Sequence, residues 1–413
     1  MPSSLNRPGV TVESFPPPAD LVFRTGVAGF LCPAWQANAA RGVAAPPVLP
    51  VALLFTSWPD FADAFRDDPD WQAWRPGQLL WAGVQGFFLN GGLRCWVVLY
   101  DGTGDRLAAL DVGVRALAEI EDVDLVCAPS LMDQDPLPVQ QQLIWSAEKT
   151  HDDWFLVLNA PAPPPPATDL AAWIQQLRDA PGVIILPGQP DHEPFHMRRP
   201  HNAALYHPWL VPGGDVESSP GEAFVALPAV PVSGHAAGIF ARTDQRVGSH
   251  KAPANEVVEG IVDVVADVDE IDSANAVRAI PGRGLRVWGA RTLAVPASVA
   301  DLNAYVGVRR LILTLDRWLA RALDWTVFET NDVRTWVRIH RELNRRLTDL
   351  FEQGVLQGSS PDEAFYVKCD DENNPADVRA GGKLQVDIGV APAVPNEFIK
   401  IRLVRSAEGI TVA

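Results

Sequence analysis

From about Val27 to Pro187 the chain alternates short apolar runs with longer stretches whose apolar residues recur every three or four positions. The short runs, Val27–Leu31, Val48–Thr56, Arg94–Leu99, Val123–Cys127, Trp154–Leu158 and Val183–Leu186, read as strands. Gly77–Leu89, Arg106–Ile120 and Leu170–Leu177 read as helices. This alternation predicts an α/β layer structure, and the proline run Pro161–Pro166 predicts a stiff polyproline II connector. Between Asp191 and Asn255 the pattern turns irregular and rich in histidine. Glu256–Asp272 then alternates valines with acids and carries no basic residue, as expected of a solvated edge strand or loop.

Beyond Val287 the periodicity sharpens. Tyr305, Val308, Leu311, Ile312, Leu315 and Leu319 share one helical face, which predicts an amphipathic helix from Asp301 to about Leu323. Thr330 or Asn331 is placed to cap a second helix, whose buried face carries Val333, Trp336, Val337, Leu343, Leu347, Leu350 and Phe351 and which Gly354 terminates. Arg334, Arg338, Arg341 and Arg345 line the opposite face at i, i+4, i+7 and i+11. Two readings of that stripe are open: a solvated face neutralised by Glu342, Asp349 and other acids of the same subunit, or an electrostatic dock for an acidic protein surface.

Three strand signals close the chain: Ala364–Cys369, Lys383–Val390 and Phe398–Val404. In the last, Phe398 leads into strict alternation, with Ile399, Ile401 and Leu403 on one side and Lys400 and Arg402 on the other. At the opposite end Val10, Thr11, Val12 and Glu13 form a short strand, set apart by Pro8-Gly9 before it and Pro16–Pro18 after it. Strand-forming ends are an aggregation hazard unless their edges are covered. They pair either within the chain or by strand addition to a neighbouring subunit.

Length and composition narrow the classes. The 413 residues suffice for two or three domains with a substantial apolar core. No apolar run approaches the ~18 residues of a membrane span, and no apolar signal segment opens the chain, so folding in a cytoplasm is expected. A net charge of −17 argues against nucleic acid as the main partner. Cys32, Cys95, Cys127 and Cys369 are too widely spaced for a metal-ligand pair and read as buried thiols. His192 and His196 have helical ligand spacing, but Pro194 lies between them and no further ligand pattern completes a metal site.

The run from Ala241 to Leu293 concentrates glycines and basic residues in ARTD, KAPAN, PGRG and VWGARTL. It reads either as a phosphate cradle, which would make the chain an enzyme binding a phosphorylated ligand, or as the packing core of an assembly subunit. It contains no G-x-x-x-x-G-K-[ST], and Gly282-Arg283-Gly284 lacks the third glycine of a dinucleotide fingerprint because position 287 is Val. Without a nucleophile elbow or a paired general base, no catalytic residue is assigned. Arg242, Arg283, Arg286 and Arg291 are assigned instead to buried ion pairs and turn geometry.

Read in order, several segments resemble the contractile tail sheath family of phages, phage tail-like bacteriocins and extracellular contractile injection systems. They are PGVTVE (Pro8–Glu13), VAGF (Val27–Phe30), FFLNGGLRCWVV (Phe87–Val98), VDLVCAP (Val123–Pro129) and YHPW (Tyr206–Trp209). ARTD, KAPAN, PGRG and VWGARTL follow, then YVGVRRL (Tyr305–Leu311), AFYVKCD (Ala364–Asp370) and IGVAPAVPNEFIKIRL (Ile388–Leu403). The resemblance implies a mixed α/β, two-domain structural subunit without catalysis, cofactor or metal. It would stack as a helical homo-oligomer of hexameric rings around an inner tube protein. Baseplate and terminator or cap proteins would bound the stack, and sibling sheath proteins could share it. Neither nucleic acid binding nor membrane insertion is implied. The implied layout is an N-terminal arm over 1–26, an outer α/β domain over 27–275, an inner, tube-facing domain over 276–395, and a C-terminal strand arm over 396–413. The arms would add strands to neighbouring subunits, and Arg334, Arg338, Arg341 and Arg345 match a tube-facing helix by position and charge. The compact length is closer to a bacteriocin or injection-system sheath than to that of a large phage.

Overall fold

A strand with apolar residues on both sides needs cover on both faces, and β1 (Ala28–Ala34) finds it near the middle of an eight-stranded sheet in the computed structural model. The structure describes residues 25–34, 49–65, 74–151, 153–162, 167–180, 195–196, 199–213, 227–266, 274–295, 302–393, 403–406 and 409–412. The other strands of the sheet are β2 (Val51–Phe55), β3 (Cys95–Asp101), β4 (Leu125–Cys127), β5 (Phe155–Asn159), β6 (Ala203–His207), β9 (Ala274–Ile280) and β10 (Gly284–Trp288). A separate antiparallel ribbon joins β7 (Leu210–Pro212) to β8 (Ile261–Val264), where Val262 is exposed as the acidic alternation predicts.

The sheet order is β10-β9-β6-β5-β4-β1-β3-β2, parallel from β9 to β3, with β10 and β2 closing the edges antiparallel. Residue alternation divides its core into two layers. Phe30, Val97, Cys127, Phe155 and Tyr206 meet α1 (Trp58–Phe65), α2 (Arg75–Leu89) and α6 (Ser233–Arg246). Leu31, Val98, Val126, Leu156 and Leu205 meet α3 (Arg106–Ala118), α4 (Pro136–Thr150) and α5 (Ala167–Arg178). Helices on both faces of a mostly parallel sheet make this a doubly wound α/β layer. All four cysteines are free and buried.

The segment read as irregular, Asp191–Asn255, is corrected by β6, β7 and α6. Helix α6 is buried over most of its length, including Ser233, His235, Thr243 and Asp244. Its entry is also unusually close to α2: a Cβ on Gly234 would lie 2.1 Å from the carbonyl oxygen of Gly83. Only a residue without a Cβ permits that approach.

The C-terminal unit contains α7 (Val306–Ala322), α8 (Val333–Glu352) and the antiparallel pair β11 (Phe365–Lys368) and β12 (Asp387–Val390). Leu311, Leu315, Leu347, Val355, Leu356 and Phe365 form one cluster there, and Trp336, Ile339, Leu343 and Cys369 another. Helix α8 ends on Gly354 at φ +74, with Val355 N–H donating to Leu350 O at 3.0 Å and Gly354 N–H to Phe351 O at 2.9 Å, the paired bonds of a Schellman turn. Its N-cap is Asp332 rather than Thr330 or Asn331, because the Asp332 carboxylate accepts from Arg334 N at 2.9 Å and Thr335 N at 3.1 Å. Asn331 serves instead as acceptor for Trp336 Nε1 at 2.7 Å.

Two boundaries also differ from expectation. A division at 275/276 falls within β9, which hydrogen-bonds to β6 and β10, so the layered sheet continues through Trp288. Phe398–Val404 is not the last regular element, since β13 (Leu403–Ser406) turns back to pair with β14 (Gly409–Val412). Val183–Leu186 and Pro163–Pro166 lie outside the described residues.

Candidate assembly surfaces

Two helices share arginines at i, i+7 and i+11, and their surroundings are opposite. On α7, Arg310, Arg317 and Arg321 stand at i, i+7 and i+11, facing the α/β layer. Arg310 is 3% exposed and grips Asp244 through two bonds, Nη1 to Oδ1 at 2.7 Å and Nη2 to Oδ2 at 2.6 Å. Its Nη2 also reaches Asp124 Oδ2 at 3.0 Å, and its guanidinium lies 5.0 Å from the Phe240 ring centre. Burial opposes the charge on Arg310, but Asp244 and Asp124 outweigh it and hold the group protonated beyond its ordinary range. Asp124 in turn accepts from Gly26 N at 3.0 Å and Val27 N at 2.6 Å, so one cluster joins α7, α6, the start of β4 and the entry to β1.

One to two turns further along α7, Arg317 binds the Asp153 carboxylate and donates to Val123 O at 2.6 Å. Burial pushes the Asp153 carboxyl up, but hydrogen bonds from His151 and Arg317, with the Arg317 charge, hold it down at about 2. Because that lies below the unfolded value of 3.8, the pairing stabilises fully above about pH 4, and this contribution is lost as the pH falls towards 2. Urea unfolding of wild type and Asp153→Asn is expected to differ by about 2 kcal/mol near neutrality and to converge over that acid window.

On α8 the stripe is free. Arg334, Arg338, Arg341 and Arg345 are all exposed, opposite the buried Trp336, Ile339, Leu343 and Leu347. Among the described residues none of the four makes an ion pair, so neutralisation by Glu342 or Asp349 is not what the structure contains. Arg338 stacks 3.7 Å from the Trp325 ring centre. Val333 and Val337, expected on the buried face, are 60% and 61% exposed. The α8 axis is rotated so that Ile339, which the sequence reading passed over, points inward.

The run from Ala241 to Leu293 proves to be connective. Arg283 donates to Asn255 Oδ1 at 3.3 Å, and Arg286 donates to the carbonyls of Arg283 and Asn255. Arg242 meets Val257 O at 2.7 Å and Glu256 at 3.7 Å, and Arg291 lies 4.5 Å from the Tyr305 ring centre. Turn geometry is therefore right for Arg283 and Arg286, and Arg242 makes a half-buried ion pair with Glu256. A groove of about 510 Å³ borders the run at Val257, Ile261, Ile280 and Leu285, and its lining contains Glu259 and no cationic side chain.

Of the residues read as strand arms, Val10, Thr11, Val12, Glu13, Phe398, Ile399, Lys400, Ile401 and Arg402 lie outside the described residues, and Leu403 opens β13. His192 also lies outside them, and among the described residues no group of three or more metal-binding side chains assembles. Among those residues, too, β11 and β12 pair only with each other, which leaves a main-chain edge open on either side. The cluster of Arg310, Asp124 and Asp244 was missed. Its one sequence signal was a cation on the buried side of α7, four residues after Val306 and three before Leu313.

No family model matches this chain. Over 188 residues it is 28% identical to the tail sheath protein of Vibrio phage KVP40, a segment covering 43% of this chain and 27% of that protein. Over 185 residues it is 29% identical to a putative prophage major tail sheath protein of Pseudomonas aeruginosa (strain UCBPP-PA14), covering 42% of this chain and 45% of that one. The chain thus spans less than half the length of either relative. Among solved structures, the contracted sheath complex of PVC, an extracellular contractile injection system, matches with TM-score 0.68 at 22% identity, covering 98% of this chain and 99% of that one. A chain of the six-fold symmetrised anti-feeding prophage baseplate matches with TM-score 0.67 at 26% identity, covering 97% and 99%. A doubly wound layer locked to a C-terminal helical unit is, by these matches, the fold of a contractile-particle subunit. In sequence and in fold, then, the chain is similar to contractile tail sheath proteins and to chains of contractile particles.

Proposed function

We propose that this chain is the structural, non-enzymatic subunit of a contractile sheath, polymerising as stacked hexameric rings around an inner tube and contracting to drive that tube through a target envelope. The observation that carries this reading is the convergence of sequence relatives named as tail sheath proteins with fold neighbours from contractile particles. Residues 302–393 form the inner, tube-facing domain, and the α/β layer is the outer one. The free basic stripe on α8, in a chain of net charge −17, supports a dock for an acidic tube surface. The open edges of β11 and β12 support strand addition by the terminal segments of neighbouring subunits. The energy source is the lattice itself: a metastable extended arrangement passes to a contracted one with more buried contact, while rigid domains turn about strand-exchanged connections. Baseplate and terminator or cap proteins bound the stack, and assembly takes place in the bacterial cytoplasm.

Negative-stain microscopy of the concentrated full chain tests this reading. Striated tubes with cogwheel cross-sections are expected; a chain that stays monomeric at every concentration, with or without its tube partner, overturns it.

A further inference from the structure

The turn joining α7 to α8 presents Phe328 with its whole side chain in solvent, at 104% relative exposure, on a backbone of φ +72. A bulky aromatic residue in left-handed conformation is a genuine outlier, and glycine or asparagine is the ordinary occupant of such a position. The turn is nevertheless firmly built. Val327 N–H donates to Asp324 O at 3.2 Å and Glu329 N–H to Thr326 O at 3.0 Å, while Thr335 Oγ1 donates to Thr330 O at 2.7 Å from the first turn of α8. Val327, Val333 and Val337 are each at least 60% exposed at this same end of α8, beside Arg334 and Arg338. Aromatic and arginine side chains together, apolar at the centre and charged at the rim, are the composition of a protein-binding hot spot.

We propose that Phe328 is the apolar anchor of the α8 docking face and seats in an apolar recess of the acidic protein surface that the arginine stripe meets. This inference rests on the reading of that face as the one that binds the inner tube. The four unpaired guanidinium groups fix the partner's charge, and the exposed ring fixes the need for a recess within it. Charge steers and orients the encounter, whereas a buried aromatic ring mainly slows release.

The test is co-sedimentation of the full-length chain with purified tubes of its cognate inner tube protein, using wild type, Phe328→Gly, Phe328→Leu and Arg338→Glu/Arg341→Glu. Phe328→Gly is expected to weaken binding by about tenfold or more. Its thermal midpoint should be unchanged or raised, because glycine adopts φ +72 without strain. Phe328→Leu should retain most of the binding. If Phe328→Gly binds like wild type while the charge reversal does not, the anchor is wrong and the basic dock stands. If every variant binds like wild type, the docking-face reading fails and takes the anchor with it. If Phe328→Gly abolishes self-association without tubes and leaves tube binding intact, a second copy of this chain occupies the face and the tube assignment of Phe328 is overturned.

Discussion

Replacing Arg310 by methionine is expected to lower the unfolding free energy by about 3–5 kcal/mol, the cost of breaking a buried ion pair by removing one partner. Methionine keeps most of the length and fills most of the space, so the loss reports the charge. Two carboxylates then remain without their cation. Asp244 has a side chain only 1% exposed, loses both guanidinium bonds and keeps the Thr25 side chain, whereas Asp124 retains the N–H groups of Gly26 and Val27. That asymmetry gives a second expectation: Arg310→Met combined with Asp244→Leu should recover part of the loss, since an apolar replacement of a whole buried pair costs far less than half of one. Tryptophan-fluorescence urea melts measure both. A loss below about 0.5 kcal/mol, the range of ordinary surface substitutions, would show that the cluster does not hold α7 to the α/β layer.

Deleting residues 1–13, or residues 397–413, is expected to abolish polymerisation and leave a folded, soluble monomer. Neither cut removes a residue of the bonds that bound the two units: the Asp124 clamp begins at Gly26, and among the described residues the last backbone bond of the C-terminal unit is Ala393 N–H to Val355 O at 3.0 Å. What is removed is strand-forming sequence, Val10–Glu13 at one end and Phe398 onward at the other, while the open edges of β11 and β12 remain without an added strand. Strand addition supplies a row of main-chain hydrogen bonds per contact, repeated at every lattice point, so its loss acts on the whole assembly at once. Sedimentation velocity and electron microscopy read the outcome. Normal tubes from either truncation would remove the strand-exchange model while leaving the subunit's fold as described.

The sequence made the α/β layer legible where burial was one-sided or where apolar runs were short and bounded: β1, β3, β4, β5, α2 and α3 all lie where the pattern put them. It failed at α6, whose polar Ser233, His235, Thr243 and Asp244 are buried with the apolar residues, and at Val333 and Val337, where two valines in register with the apolar stripe were rotated into solvent. The ordered motifs carried the resemblance as a series, although the Gly/Arg-rich run that stands out most among them is mainly connective.

The two arginine stripes separate what each level of description can decide. Residue type and spacing alone determined that α7 and α8 are helices and that each carries arginines at i, i+7 and i+11, but that shared spacing does not tell the two series apart. Only the tertiary structure decided that one is spent and the other free. Asp124, Asp153 and Asp244 stand 186, 164 and 66 residues from the arginines they meet, and bring their carboxylates to α7 only when the sheet and α6 are in place. Among the described residues no acid pairs with the α8 arginines in this way. A charge on a helix is fixed by its residue, whereas its partner is fixed by which distant loops the fold folds against it.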